Sequence, residues 1–481
     1  MTMDTDATAT REQALPAVSP PAPSPARSTR GMQDMTTGPI TRHLLKTMSF
    51  MLVTMIFQTL YFLIDLYWVG RLGTEAVAAV GIAGNLTFIV LALTQMLGVG
   101  TTAVISHAVG RKDHDQALIL FNQSQVLAMV TGVVFLIVGL IGRMPYSIAM
   151  SADATTASLA GDYLLWFIPA MALQFALVAM SSALRAAGNF KPGMVVSSAT
   201  VVINMILAPF LIFGWGTGYA LGVAGAAIAS LIAIAIGVVW LAMYFLPKDA
   251  FLQFVVADWK PRFDLWRKML GIGLPAGFEF GLMAVYLFIV YSLTRQFGAA
   301  AQAAFGIGMR IVQAGFMPVV ALGFSVAPVA GQNFGAREAE RVKATFRDGA
   351  LMAGVWMLFW AIVCNVVAAS LVGLFSKDPS VIAVGEEYLR IVSLTFVPSG
   401  LLFVASSMFQ AMGNTVPSLV SSAVRIVLVA IPAVILSRQP GFELNWIWYL
   451  SVGAVLVQLT VSMLLLRREF GRRLRFEGAL A

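Results

Sequence analysis

The sequence predicts an all-α membrane protein with 12 transmembrane helices in two pseudo-symmetric six-helix lobes and both termini cytoplasmic. Three observations carry this. Mean hydropathy is +0.84, with 59% hydrophobic and 11% charged residues, against about 25% charged in a soluble domain. Twelve apolar runs reach or exceed the roughly 20 residues that a helix needs to cross a bilayer. The two halves of the chain also match each other at a constant offset of 225 residues.

Taken in order, residues 1–40 are rich in Pro, Ser, Ala and Thr, including Pro20-Pro-Ala-Pro-Ser-Pro25. Such a composition predicts a disordered cytoplasmic tail. It has no apolar central region and so is not a signal peptide. The apolar runs fall near 44–68, 76–108, 117–141, 158–184, 192–214 and 222–246, then 266–295, 301–330, 342–374, 381–412, 417–437 and 445–466. Several exceed a minimal span and must tilt or project from the bilayer. Between the two sets lies the longest hydrophilic connection, read as a cytoplasmic linker over 247–265, with lobes at 41–246 and 266–468. A basic cytoplasmic tail is expected at 469–481.

Loop charges set the orientation. Alternate connections, from Arg42 and Lys46 through Arg111, Lys112, Arg185, Lys191, 248–268 and 337–347 to Arg467–Arg475, carry 20 Lys or Arg. The opposite connections carry five: Arg71, Arg143, Arg295, Lys377 and Arg438. The basic side is expected to be cytoplasmic. Because the basic residues are spread through loops, the net charge of +8 does not suggest nucleic acid. With one cysteine, Cys364, no internal disulfide can form, and no cysteine–histidine cluster has metal-ligand spacing.

In the repeat, Gly73 meets Gly298, Gly81-Ile82 meets Gly306-Ile307 and Gly110 meets Gly335. Tyr163-Leu164 meets Tyr388-Leu389, Gly188-Asn189 meets Gly413-Asn414, and Pro192 meets Pro417. Small residues recur often in membrane helices, but matched tyrosines and prolines do not follow from that. Six spans per half give both halves the same orientation, with a cleft between them.

The first span carries one carboxylate, Asp65, in Gln58-Thr-Leu-Tyr-Phe-Leu-Ile-Asp-Leu-Tyr-Trp-Val-Gly-Arg-Leu-Gly73. A carboxylate near the middle of a span costs about 2.5–3.5 kcal/mol on insertion scales, and burial disfavours its charged form. Gln58, Tyr61 and Asp65, at i, i+3 and i+7, share one helix face. Asp65 is therefore the candidate proton or cation switch. The plainer reading is a carboxylate near the helix end that snorkels to water. The repeat places Val290 opposite Asp65, so the acid belongs to the first half alone.

The Gln58–Gly73 stretch resembles the first-helix signature of multidrug and toxic compound extrusion (MATE) transporters. Val326-Ala-Pro-Val-Ala-Gly-Gln-Asn-Phe-Gly-Ala-Arg-Glu-Ala-Glu-Arg341, Gly188-Asn-Phe-Lys-Pro192, Gly413-Asn-Thr-Val-Pro417 and Gly222-Val-Ala-Gly-Ala-Ala-Ile-Ala-Ser230 resemble other segments of the family. The resemblance covers about 41–470. It implies a V-shaped pair of lobes and drug efflux driven by inward flow of protons or sodium. It assigns Asp65 and Asn204 to the coupling site, with Ser230 where a threonine is common. Three positions depart from the pattern. Ala208 stands where many members carry a second acid. Phe50 replaces the proline usual early in helix 1. Met283 falls where one subfamily has a C-lobe acid, with Glu279 one turn earlier as a possible substitute.

Glu279 is read either as a contact for a proton or cationic substrate, or as a partner of Arg310 or Arg425 within the C-lobe. A drug cavity wants apolar walls with few polar groups, and aromatic faces attract organic cations. Phe57, Phe62 and Trp68 in helix 1 and Met283 in helix 7 are therefore candidate cavity residues beside Glu279 and Arg310. Most such side chains simply pack helices or face lipid. No phosphate-cradling G-x-x-x-x-G-K loop is present, which argues against ATP-driven pumping.

The expectation is a secondary-active multidrug antiporter, not an enzyme, acting as a monomer in a bacterial cytoplasmic (inner) membrane. It is expected to export lipophilic, often cationic drugs or toxins without a cofactor. The coupling ion is expected to be H+, with Na+ as the alternative, because Ala208 removes an anionic ligand and sodium wants several oxygens. A flippase of a lipid-linked precursor on a related plan is the rival reading.

Overall fold

The computed structural model describes residues 31–216 and 218–476. Among these residues, twelve helical stretches are long and apolar enough to cross a membrane. The first six are α1 (Ile40–Gly70), α2 (Thr74–Gly110), α3 (His114–Met150), α4 (Ala154–Ala186), α5 (Lys191–Phe213) and α6 (Gly222–Met243). The second six begin with α7 (Phe263–Thr294), α8 (Ala299–Gly335) and α9 (Ala339–Val366), followed by a short α10 (Ala368–Gly373). The tenth stretch is α11 (Pro379–Val392) and α12 (Phe396–Ala411), joined by a 3-10 turn at Ser393–Thr395. The last two are α13 (Val416–Leu436) and α14 (Leu444–Arg473). Pro398 sits in the first turn of α12, where its missing N–H costs nothing. Large apolar side chains such as Val138, Ile141, Phe288 and Ile362 are exposed around the bundle, as lipid contact requires.

The expected runs match these helices closely. Three differences appear. The run at 342–374 is divided into α9 and α10, the run at 381–412 is broken by the 3-10 turn at Ser393–Thr395, and helical backbone continues past several expected spans, for example to Met150 in α3 and to Gly335 in α8.

The lobes meet at the end that carries the basic loops. There α2 and α8 cross at Gly110 and Gly335, the pair matched by the repeat. A Cβ on Gly110 would strike the Gln332 carbonyl, and one on Gly335 would strike the His107 carbonyl. Residues 97–110 of α2 are continuously buried, whereas its first half is largely not. His107 reaches across, its Nε2 donating to the Ala411 carbonyl at 2.6 Å.

The basic halves of the first helix of each lobe are exchanged. Ile40 and Leu44 of α1 join the apolar core of the second lobe, while Val69 belongs to the first. Met269, Ile272 and Ala276 of α7 join the first lobe's core, while Val290 and Leu293 belong to the second. The lobe boundaries at 41 and 266 are thus topological, since the opening turns of α1 and α7 pack on the opposite partner. Pro275 lies at the crossover of α7. At the corresponding part of α1 stands Phe50, in a helix without an internal proline.

The expected disordered tail does not extend to residue 40. Residues 1–30 lie outside the described residues, but 31–39 are packed between the lobes. Met35 is fully buried in the second lobe's core, and Met32 packs on the first. The backbone of this strap is held on both sides. Gln33 N–H donates to the Ala187 carbonyl at 2.8 Å, and Met35 N–H donates to Gln332 Oε1 at 2.9 Å. The Met35 carbonyl accepts from Asn333 and Arg341.

The 247–265 connection is likewise docked rather than loose. Asn122 of α3 donates to the Gln253 carbonyl and accepts from Val255 N–H and the Trp259 indole. Gln123 donates to the Asp258 and Lys260 carbonyls and accepts from Arg262 N–H. Buried amides that satisfy backbone groups in this way fix a loop that has no regular ladder of its own.

Candidate transport site

In the first lobe, α1, α5 and α6 bring together Tyr61, Asn204 and Ser230. Asn204 Nδ2 donates to Ser230 Oγ at 2.9 Å, and Tyr61 OH lies 3.0 Å from the same oxygen. Ser230 in turn donates to the Ala226 carbonyl at 3.2 Å. A hydroxyl donates once and accepts twice, so Tyr61 is the donor. Both Asn204 and Ser230 are 3% exposed.

Asp65 follows Tyr61 by one turn of α1, close enough for their charges to interact. It is not joined to the Asn204–Ser230 pair. Its Oδ1 is buried with no hydrogen-bond partner, and among the described residues no cation pairs with it. Tyr163 of α4, which is 4% exposed, lies within electrostatic reach of Asp65 and Tyr61. An ionised carboxylate so placed costs a few kcal/mol unless a proton, cation or water answers it. The site is therefore built to take up a positive charge. Ala208, four residues after Asn204 on the same helix, is 1% exposed.

Of the other first-lobe candidates, Trp68 packs against Tyr67, Phe213 and Trp215 at the C-terminal end of α1. Arg71 caps this cluster over the Tyr67 and Trp68 rings. Phe57 is half-buried, Phe62 is exposed, and Gln58 is exposed and forms no hydrogen bond among the described residues. The polar stripe from Gln58 to Asp65 therefore breaks at Tyr61. Gln58 lies where α1 is leaving its own lobe for the other.

In the second lobe, Glu279 is not paired with an arginine, which corrects that expectation. Three serines surround it instead. Ser418 lies 2.9 and 3.0 Å from its two oxygens, Ser422 is 2.9 Å from Oε1, and Ser406 is 3.4 Å from Oε2. Gln458 of α14 donates to Ser422. Hydroxyls satisfy the carboxyl group at less desolvation cost than a buried guanidinium would bring. Met283, one turn on, is exposed, as is Arg310. The serines escaped sequence reading, although their i, i+4 spacing at 418 and 422 puts both on one helix face.

The lobes share a further plan. Tyr286, at the repeat position of Tyr61, lies 3.2 Å from Ser451 on the lobe's last helix, as Tyr61 does with Ser230. Tyr388, matched to Tyr163, is again close by and buried. Where the first lobe has Asp65, the second has fully buried Val290. Beside Tyr286 stands Arg425, its guanidinium carbon 4.5 Å from the ring centre.

Comparison with known proteins decides the family. The MatE family model matches residues 51–210 and 275–435, one copy per lobe. The chain belongs to the MatE family. It is a multi-pass membrane transporter of the multidrug and toxic compound extrusion type, not an enzyme. The FAD transporter of Shewanella oneidensis is 25% identical over 370 residues, covering 77% of this chain and 82% of that protein. The multidrug export protein MepA of Staphylococcus haemolyticus is 27% identical over 368 residues, covering 76% and 80%. A solved MATE structure in a bent conformation superposes with a TM-score of 0.87 at 24% identity, covering 93% of this chain and 99% of that one. An outward-facing multidrug resistance MATE family transporter gives 0.85 at 24% identity, covering 94% and 100%. These structures bear out the MATE fold of two six-helix repeats.

Proposed function

We propose that this MatE protein is a proton-driven antiporter that exports lipophilic small molecules, with Asp65 as the protonation switch. The observation that carries the reading is the unpartnered, buried Oδ1 of Asp65 beside the Tyr61–Ser230–Asn204 chain. With the proton bound the first lobe holds no net charge there; without it the site attracts a cation. A proton and an exported cation would then exclude one another. The family, and relatives named as multidrug exporters, support export as the direction. The basic end is the cytoplasmic one by its loop charge, so the lobes as they stand are shut toward the cytoplasm. The protein is proposed to act as a monomer in a bacterial inner membrane, with its lobes at 41–246 and 266–468.

Protons are preferred over sodium because Ala208 stands where many members of the family carry a second acid four residues after the asparagine. Asp65→Asn in proteoliposomes tests the switch. Insertion is expected to be normal and export driven by an imposed pH gradient to be lost. Wild-type export by this variant at equal protein would remove Asp65 from the coupling path.

A further inference from the structure

The second lobe contains a guanidinium that its helices do not satisfy. Arg425 lies in the middle of α13, a span of 21 residues. A charge at such depth is costly and faces a cavity or a partner. No acid lies within ion-pair distance of it among the described residues, and none of its donors has a hydrogen-bond acceptor there. Its Nε is buried and unpartnered. Tyr286 covers one face of the guanidinium at 4.5 Å, and Tyr388 is within electrostatic reach. Glu279 is occupied by Ser406, Ser418 and Ser422 instead.

The surroundings give this group a place in the architecture. Tyr286 and Tyr388 stand at the repeat positions of Tyr61 and Tyr163, and Tyr286 meets Ser451 as Tyr61 meets Ser230. The two lobes thus hold equivalent tyrosine–serine pairs beside charged groups of opposite sign. The first offers a carboxylate without a cation, and the second a guanidinium without an anion.

We propose that Arg425 and Tyr286 form a subsite for an acidic group of the transported compound, a carboxylate or a phosphate monoester, held by the free edge of the guanidinium against the ring. A planar guanidinium matches either oxyanion through two parallel N–H bonds, and the stacked ring keeps the fork in place. The first lobe then handles the proton, while the second selects compounds with an acidic end. This deepens the export reading and rests on it for the word transported; the binding site itself does not.

Equilibrium binding of naphthalene-2-carboxylate to the purified, detergent-solubilised protein tests this, with neutral naphthalene-2-carboxamide as its control. The carboxylate is expected to bind wild type more tightly than the amide. Arg425→Met should weaken the carboxylate at least tenfold and leave the amide unchanged, which also shows that the variant is folded. Asp65→Asn should leave carboxylate binding intact even where pH-driven export is lost, so the two readings fail separately. Equal binding of the carboxylate by wild type and Arg425→Met, or no binding by wild type at millimolar concentration, overturns the subsite. If Arg425→Met does not fold, Arg425→Lys decides. It keeps the charge but loses the fork, so several-fold weaker carboxylate binding is expected and unchanged affinity overturns the proposal.

Discussion

Glu279 shows how far single residues can be read. Its position in a span marked it as costly, and the sequence offered two basic candidates, Arg310 and Arg425, to relieve that cost. Sequence counts charges readily, whereas hydroxyls are too common in helices to stand out. The carboxyl group is in fact held by Ser406, Ser418 and Ser422. Asp65, Asn204 and Ser230 were legible because each carries a recognisable local motif. Tyr163 was visible only as a repeat match, since its nearness to Asp65 depends on how α4 packs. With no arginine to leave stranded, Glu279→Gln should be tolerated by the fold. Export of cationic compounds is expected to fall several-fold while neutral ones change little, measured as initial rates in proteoliposomes. Equal loss for both would give Glu279 a purely structural role. A second substitution tests the ion. Ala208→Asp adds the absent acid near Asn204 and should make export sensitive to sodium, whereas wild type at fixed pH should not respond to a sodium gradient. A wild-type response to that gradient would assign sodium as the coupling ion.

At the scale of elements, helix number and limits were legible because a span must be apolar throughout. The exchange of the basic halves of α1 and α7 was not, because apolar faces do not say which lobe they meet. The strap at 31–39 was hidden for another reason. Its composition continues that of a disordered tail, and its order comes from partners about 150 to 300 residues away in sequence. The strap makes more contacts with the second lobe, through Met35, Asn333 and Arg341, and should travel with it. Its hold on the first lobe at Ala187 must then break when the basic end opens. A short thiol cross-link between Gln33→Cys and Ala187→Cys, in a Cys364→Ala background, is expected to stop export reversibly. The same link between Met35→Cys and Asn333→Cys should leave it running. The opposite pattern would mean that the strap moves with the first lobe. Within the strap, Asp34 is pushed up by burial but pulled down further by the Thr36 hydroxyl and N–H, so its carboxyl sits below the usual value. A depressed carboxyl stabilises the turn it closes above its free value and loses that effect as pH falls. The Asp34–Thr36 turn should therefore hold at neutral pH and loosen only in acid, below about pH 4.

The whole molecule is a repeat that kept its geometry and divided its chemistry. The tyrosine–serine pairs at 61–230 and 286–451 persist in both lobes, while the acid at 65 has become Val290, packed in the second lobe's apolar core. Glu279 does not restore the symmetry. It precedes Val290 by 11 residues, about three turns or roughly 16 Å along the helix, and its hydroxyl cage leaves it without the bare oxygen that marks Asp65. One lobe should therefore exchange protons, which fixes the stoichiometry. For an uncharged substrate at zero membrane potential, one proton per cycle lets each pH unit of gradient sustain about a tenfold substrate gradient, the equivalent of ~1.4 kcal/mol. Two protons would sustain about a hundredfold. Static-head accumulation in proteoliposomes, measured across a series of imposed pH gradients, is expected to follow the tenfold line. Glu279→Gln should leave that slope unchanged. A hundredfold slope in wild type that drops to tenfold in Glu279→Gln would show that both lobes carry protons and that the repeat divided its chemistry less completely than Val290 implies.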